Sequence, residues 1–314
     1  MSRTKLPDLN GLLVIDKPAG MTSHDVVGRV RRLVGMKRVG HGGTLDPFAT
    51  GILVVAVGRA TRILQYVQDS QKGYRAHVVL GASTDTGDVD GVLNETADRD
   101  DWPSLDEVTA AVAAFIGEIE QVPPVYSAIK VGGRKLYELA RAGEQVEVPT
   151  RAVTIHAIDV FSYEPPDLIL DIRCGKGTYV RSIARDLGTA LGTEGYCHGL
   201  RRTNSGGFCL ADAWTLDELA ERDLRDEWPA IALHPDAALS DLPAVVLGQH
   251  ERSSWYHGRS VQLSRFASTD GSIARVYGDD GRFAGIGNWI DDEWLKPTLV
   301  LPPEGDSDSE REGV

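Results

Sequence analysis

The chain has 314 residues, of which 42% are hydrophobic and 25% charged, with a formal net charge of −13. Such a composition belongs to a folded globular protein and excludes a mainly disordered or collagen-like chain, and the length suits one large domain with a smaller companion. Apolar runs such as Ile52–Val57 fall far short of a membrane span, the N-terminal stretch has no apolar h-region, and Cys174, Cys197 and Cys209 show no C-x-x-C spacing. A cytoplasmic protein with no disulfide framework and no zinc site is therefore expected.

A net negative charge argues at first against a nucleic-acid partner. The charge is unevenly placed, however. Residues 1–76 hold twelve Lys and Arg against five Asp and Glu. Because screening makes local charge count for more than the total, this segment can still present a positive face.

In chain order, Gly11–Asp16 reads as a buried strand, stopped by Lys17-Pro18. Ser23 is placed to cap a helix with Val26, Val27, Val30, Leu33 and Val34 on one stripe and Arg29, Arg31 and Arg32 on its other side. Lys37 and Arg38 follow, then a glycine-rich loop from Gly40 to Pro47. Gly51–Val57 and Lys72–Leu80 predict two further strands, and Asp85–Gly91 a turn-rich connector without the twelfth-position Glu of a calcium loop.

Ser104-Leu-Asp-Glu107 is a capping box that opens a helix expected to end at Gly117. Pro123-Pro124 begins a basic, irregular excursion holding Lys130, Arg134, Lys135 and Arg141. Val153–Phe161 and Leu168–Cys174 alternate as strands, and Val180, Ile183, Ala184, Leu187 and Leu191 form another helical stripe. Thr215-Leu-Asp-Glu218 is a second capping box, and the stretch from Trp228-Pro229 to Pro235 reads as a boundary.

Beyond it, Val245–Leu301 predicts a small β-rich module with a turn at Gly278-Asp-Asp-Gly281, and 304–314 an acidic, disordered tail. The expected fold is α+β, with a mixed, mostly antiparallel sheet and flanking helices over residues 1–235, an insertion at about 121–151, and a second domain over 236–303. No coiled-coil heptad is visible, so a monomer is expected.

Several familiar sites are absent: no phosphate-binding G-x-x-x-x-G-K-[ST], no H-E-x-x-H, no G-x-S-x-G, and no G-x-G-x-x-G opening a helix. Neither a cofactor nor a metal is called for. The unusual feature is one acid in a glycine loop, Asp46 in His41-Gly-Gly-Thr-Leu-Asp-Pro47. Glycines let backbone approach a ligand closely, and Pro47 restricts Asp46 to extended backbone. The same dipeptide also suits an ordinary Asp-Pro turn.

A second loop, Gly175-Lys-Gly-Thr-Tyr-Val-Arg181, puts Tyr179 and Arg181 two residues apart at a strand-to-helix junction. An arginine facing a carboxylate would keep it ionised and oriented. A surface arginine beside a half-buried tyrosine fits the spacing equally well.

These loops belong to six strings that occur in order over roughly residues 9–215. They are Leu13-Val-Ile-Asp-Lys-Pro-Ala-Gly-Met-Thr-Ser23, Gly40-His-Gly-Gly-Thr-Leu-Asp-Pro-Phe-Ala-Thr-Gly51, Lys72-Gly-Tyr-Arg-Ala76, Gln121-Val-Pro-Pro-Val-Tyr-Ser-Ala-Ile-Lys130, Gly175-Lys-Gly-Thr-Tyr-Val-Arg-Ser182 and Leu200-Arg-Arg202. In these motifs the chain resembles the bacterial TruB family of tRNA pseudouridine synthases. The resemblance implies isomerisation of uridine to pseudouridine at position 55 in the T loop of tRNA, on a base turned out of its stack.

By that resemblance Asp46 is the nucleophile, at C6 of the base or C1′ of the ribose. Tyr74 stacks on the base, Tyr179 borders the pocket and helps remove the C5 proton, and Arg181 pairs with Asp46. Leu200 packs on the base, His41 inserts into the T loop, and Lys17 supports the catalytic loop. Lys130 and Arg141, in a mobile family insertion, grip RNA together with the Arg29–Arg38 helix. The C-terminal module is then PUA-like and RNA-binding. The partner is the T arm of tRNA, bound with an affinity that falls as salt rises, with no membrane and no obligatory protein partner.

A rival reading is a non-catalytic tRNA-binding or tRNA-folding chaperone, which would have no use for a nucleophile at position 46. A guide-RNA-dependent enzyme would carry larger partner-binding extensions, and a small-molecule glycosidase would need a second acid paired with Asp46.

Overall fold

Strands Gly11–Lys17 and Thr50–Val57 pair antiparallel, Leu13 opposite Val55, and both are apolar on each face. Alternation sends their side chains into two different cores. Leu13, Ile15, Leu53, Val55 and Val57 meet Val26, Val27, Val30 and Val34 of helix Ser23–Val34. Leu12, Val14, Ile52, Val54 and Ala56 meet Ile63 and Val67 on the opposite side. Burial on both faces is why these strands read as unbroken apolar runs. The computed structural model describes residues 9–302 apart from 97–99, 128, 143–147, 264–270 and 291–292. The tail expected at 304–314 lies outside the described residues.

The main sheet has nine strands. From one edge the order is Gly11–Lys17, Thr50–Val57, Gly195–Ser205, Lys72–Leu80, Asp167–Cys174, Arg151–Glu164 and Gly117–Gln121, with Val39–His41 and Phe208–Cys209 as short additions. Every pairing is antiparallel except that of Thr50–Val57 with Gly195–Ser205. This is the α+β, mostly antiparallel fold expected. On the far half of the sheet, helices Leu105–Ala113 and Val180–Ala190 pack Val108, Val112, Ile183 and Leu187 against Val78, Leu170 and Ile172.

The C-terminal sheet has five strands in the order Ala244–Leu247, Ile273–Gly278, Phe283–Trp289, Trp294–Val300 and Val261–Gln262. It closes the second core of the main sheet with Phe283, Ile286, Leu299 and Leu301. Arg59 donates to Pro302 O at 2.7 Å and Arg62 to Val300 O at 2.7 Å across the same junction.

Several local expectations need correction. Thr22, not Ser23, caps the first helix, accepting from Asp25 N in a reciprocal capping box. Ser23 is buried instead, and its hydroxyl accepts from Leu45 N at 2.8 Å. The Ser104-capped helix stops at Ala114, and Gly117 opens an edge strand with φ +113°. Strand Gly195–Ser205, where no strand is predicted, lies mid-sheet. The Trp228-Pro229 stretch forms a helical turn, Trp228–Ile231, packed into the first core, and Trp228 Nε1 donates to Asn10 O at 3.1 Å. Pro229, the second residue of the turn, sits where its missing N–H costs no helical hydrogen bond, so it does not break the turn. Among the described residues no helix is long and apolar enough to cross a membrane.

Candidate active site

The Gly42–Ala49 loop links strands Val39–His41 and Thr50–Val57 at one end of the main sheet. Three buried groups hold it. Ser23 Oγ engages Leu45 through both N and O. Lys17, completely buried, donates from Nζ to Pro18 O at 2.8 Å, Met21 O at 2.6 Å and Pro47 O at 3.2 Å. Arg202 donates to Gly43 O and Thr44 O. Burial pushes the Lys17 ammonium down to about 8, against the pull of Asp46.

The loop carries Asp46, and 31% of its side chain remains exposed. Opposite stands Arg181, only 4% exposed, its Nε 3.0 Å from Asp46 Oδ2. The rest of its guanidinium is fixed from behind. Nη1 donates to Asp88 Oδ2 at 2.9 Å and Thr86 O at 3.0 Å, and Nη2 to Tyr126 O at 3.0 Å. Asp88, itself buried, has its other oxygen engaged by Thr86 Oγ1 at 2.6 Å and Asp90 N at 3.1 Å. Desolvation raises the Asp46 carboxyl above the ordinary range, and the Arg181 charge opposes that rise.

Tyr179 is the N-cap residue of helix Val180–Ala190, half-buried, with its main chain clamped by buried Gln121. Gln121 Oε1 accepts from Tyr179 N at 2.8 Å, and its Nε2 donates to Tyr179 O at 3.1 Å. Tyr74 and Leu200 project from neighbouring central strands, both partly buried against the helix-covered core. Burial raises both phenols above their usual pKa, so Tyr74 and Tyr179 keep their protons near neutrality. His41 is half-buried, its Nδ1 accepting from Gly43 N at 3.4 Å, and burial pushes its pKa down.

Asp46, Arg181, Lys17, His41, Tyr74, Tyr179 and Leu200 are thus carried by the Gly42–Ala49 loop, by strands of the main sheet and by the start of helix Val180–Ala190. The side chains of Lys130 and Arg141 lie outside the described residues; their backbone belongs to a two-residue strand and a short helix. The basic helix is partly committed within the fold. Arg29 pairs with Asp217 and Arg31 donates to Val39 O, whereas Arg32 and Lys37 face solvent.

Sequence reasoning missed Asp88, Gln121 and Arg202. Asp88 sat in a segment whose glycines and acids read as a plain turn, yet a buried arginine needs a buried acceptor. Among the described residues no group of three His, Cys, Asp or Glu side chains is gathered as a metal site would need.

Residues 31–180 match the model of the TruB family pseudouridylate synthase N-terminal domain. Residues 181–235 match the tRNA pseudouridylate synthase B C-terminal domain, and 243–301 the C-terminal model of pseudouridine synthase II TruB. The chain is 43% identical over 301 residues to tRNA pseudouridine synthase B of Trichormus variabilis, covering 94% of this chain and 99% of that one. It is 43% identical over 297 residues to tRNA pseudouridine synthase B of Pseudomonas aeruginosa, covering 93% and 96%. The chain belongs to the TruB family.

It is a pseudouridine synthase. The fold agrees with solved structures of low identity. A Cbf5 chain from a Cbf5–Nop10–Gar1 complex superposes with a TM-score of 0.73 at 24% identity, covering 94% of this chain and 84% of that one. A chain from an H/ACA RNP bound to a substrate RNA gives 0.73 at 21% identity, covering 96% and 92%.

Proposed function

We propose that this TruB-family enzyme acts on tRNA, converting the uridine at position 55 of the T loop, with Asp46 as nucleophile. The observation that carries the reading is a partly exposed carboxylate facing a buried arginine at 3.0 Å. A carboxylate attacks without a separate base and departs readily, whether at C6 or at C1′. Attack loosens the bond from N1 to C1′. The freed uracil turns, C5 bonds to C1′, the C5 proton leaves to solvent and N1 regains one. The product is an isomer, so the balance needs no water, oxidant or phosphate donor.

The uracil must leave the loop stack to reach Asp46. Tyr74 stacks on it, Leu200 packs on its edge, and Tyr179 lines the far wall and assists removal of the C5 proton. Arg181 keeps Asp46 ionised and steadies the target nucleotide. His41 enters the space the base leaves, and Lys17 holds the loop. Lys130, Arg141 and the exposed part of the basic helix bind phosphates, while the 236–303 module contacts RNA elsewhere. The enzyme works in the cytoplasm as a monomer, without a cofactor.

The test uses tRNA transcripts labelled with tritium at C5 of uridine. The purified protein should release one equivalent of label per transcript, and a transcript with cytidine at position 55 should release none. Release from the cytidine transcript at the full rate would overturn the site assignment. A tRNA-folding chaperone would release no label from either.

A further inference from the structure

Arg202 is a charged residue the reaction does not use, yet it is almost wholly inside the protein, at 2% exposure. Its strand, Gly195–Ser205, runs between the strand that carries Tyr74 and the strand that leaves the catalytic loop. In register, Arg202 stands opposite Tyr74 on one side and opposite Gly51 on the other. Directly opposed residues of an antiparallel pair share a face of the sheet, so the side chains of Arg202 and Tyr74 rise together.

From that position the guanidinium spans the loop. Nε donates to Ile52 O at 2.6 Å, Nη1 to Thr44 O at 3.3 Å and Nη2 to Gly43 O at 3.2 Å. The two ends of the loop are thereby tied to one rigid, planar fork. Gly51 lets the strands close this tightly. It has φ +95°, and a Cβ there would fall 2.2 Å from Arg202 O. The charge also acts on the Tyr74 phenol, lowering it against the larger upward push of burial.

A desolvated cation held by main-chain carbonyls is a costly way to fill space, since apolar side chains of similar volume often pack as well or better. Lys17 does a related job at the Pro47 end but does not reach Tyr74's strand. Arg202 is the group that joins the nucleophile's loop to the platform for the base.

We propose that Arg202 is a positioning residue, setting the separation between the Asp46 carboxylate and the Tyr74 ring so that a turned-out uracil fits between them in reactive alignment. The proposal rests on Asp46 and Tyr74 acting as described above. Displacement of a reacting group by about 1 Å can cost on the order of 100-fold in rate. Lysine at 202 keeps the charge but cannot hold three carbonyls in a plane.

The experiment compares the full chain with R202K, R202M and D46N, in tritium release from tRNA transcripts and in thermal melting. R202K is expected to fold and to lose about 10- to 100-fold in kcat, with KM for tRNA within about threefold of the parent. R202M leaves carbonyls unsatisfied and is the variant at risk of misfolding, so R202K decides. Parental kcat in R202K overturns the proposal. So does a loss confined to melting temperature, or one that falls on KM alone. D46N separates the layers: full release by D46N overturns the underlying nucleophile reading, whereas dead D46N beside a fully active R202K overturns only the role of Arg202.

Discussion

Asp88 holds Arg181 by Nη1 at 2.9 Å, while Nε of the same guanidinium faces Asp46 at 3.0 Å. One cation thus serves two carboxylates with different burdens. Asp88 is enclosed and fixed by Thr86 Oγ1 and Asp90 N; Asp46 is left partly open to what enters. The asymmetry fits the proposed roles, Asp88 to hold and Asp46 to react.

Replacing Asp88 with asparagine should therefore damage both stability and turnover. It removes one charge-assisted bond to Arg181, which still keeps Thr86 O and Tyr126 O. A loss of about 1.5–3 kcal/mol in unfolding free energy is expected from urea titration. In tritium release kcat should fall by at least about tenfold, because Arg181, held less firmly, is displaced from its position against Asp46.

The pH profile of kcat/KM should carry the mark of Asp46. Attack requires the ionised carboxylate, and desolvation raises its pKa above the ordinary 3.8. Activity should accordingly be complete above the raised value and fall away as pH drops through it, placing the acid limb above the usual aspartate range. Arg181 opposes the rise, so Arg181→Met should move that limb to still higher pH, besides lowering the plateau. A limb that does not move in Arg181→Met would show that the titrating group is elsewhere.

Tyr74 should separate ring from hydroxyl. Stacking of a base on an aromatic ring contributes about 1–3 kcal/mol. Tyr74→Ala should thus lose between roughly fivefold and 150-fold in single-turnover rate, while Tyr74→Phe, which keeps the ring, should lose much less. Its phenol is raised by burial and stays protonated near neutrality, so Tyr74→Phe should also leave the shape of the pH profile between 6 and 9 unchanged.

Removal of residues 236–314 should cost stability before it reports on RNA. Phe283, Ile286, Leu299 and Leu301 complete the core that holds Leu12, Val14, Ile52 and Val54. Truncation strips that apolar face, so the shortened chain should melt lower and bind hydrophobic dye. Whether this module contacts RNA is better probed with single charge substitutions on its exposed face than by deletion.

How much of this was readable beforehand divides along physical lines. The inner strands announced themselves because two cores demand apolar residues on both faces, and the helix at 180–190 because its stripe is regular. Asp46 and Arg181 stood out through their motifs. Strand Gly195–Ser205 did not, since it mixes buried Cys197 and Arg202 with half-exposed Leu200 and Arg201 and has no clean alternation. Edge strand Gly117–Gln121 hid behind its glutamates, which point to solvent. The roles of Asp88 and Arg202 were illegible for a common reason. Their value lies in contacts over 93 and about 150 residues of chain, and local pattern carries no trace of such partners.

The most direct measurement compares the parent enzyme with Asp46→Asn, in single-turnover release of tritium from C5-labelled tRNA at saturating enzyme. The amide is nearly the same size but cannot attack, and binding of tRNA should persist within a few-fold, roughly, as the two differ by a single charge. The prediction is one equivalent released by the parent and none above background by Asp46→Asn. Release by Asp46→Asn at a rate near the parent's would contradict the account at its centre.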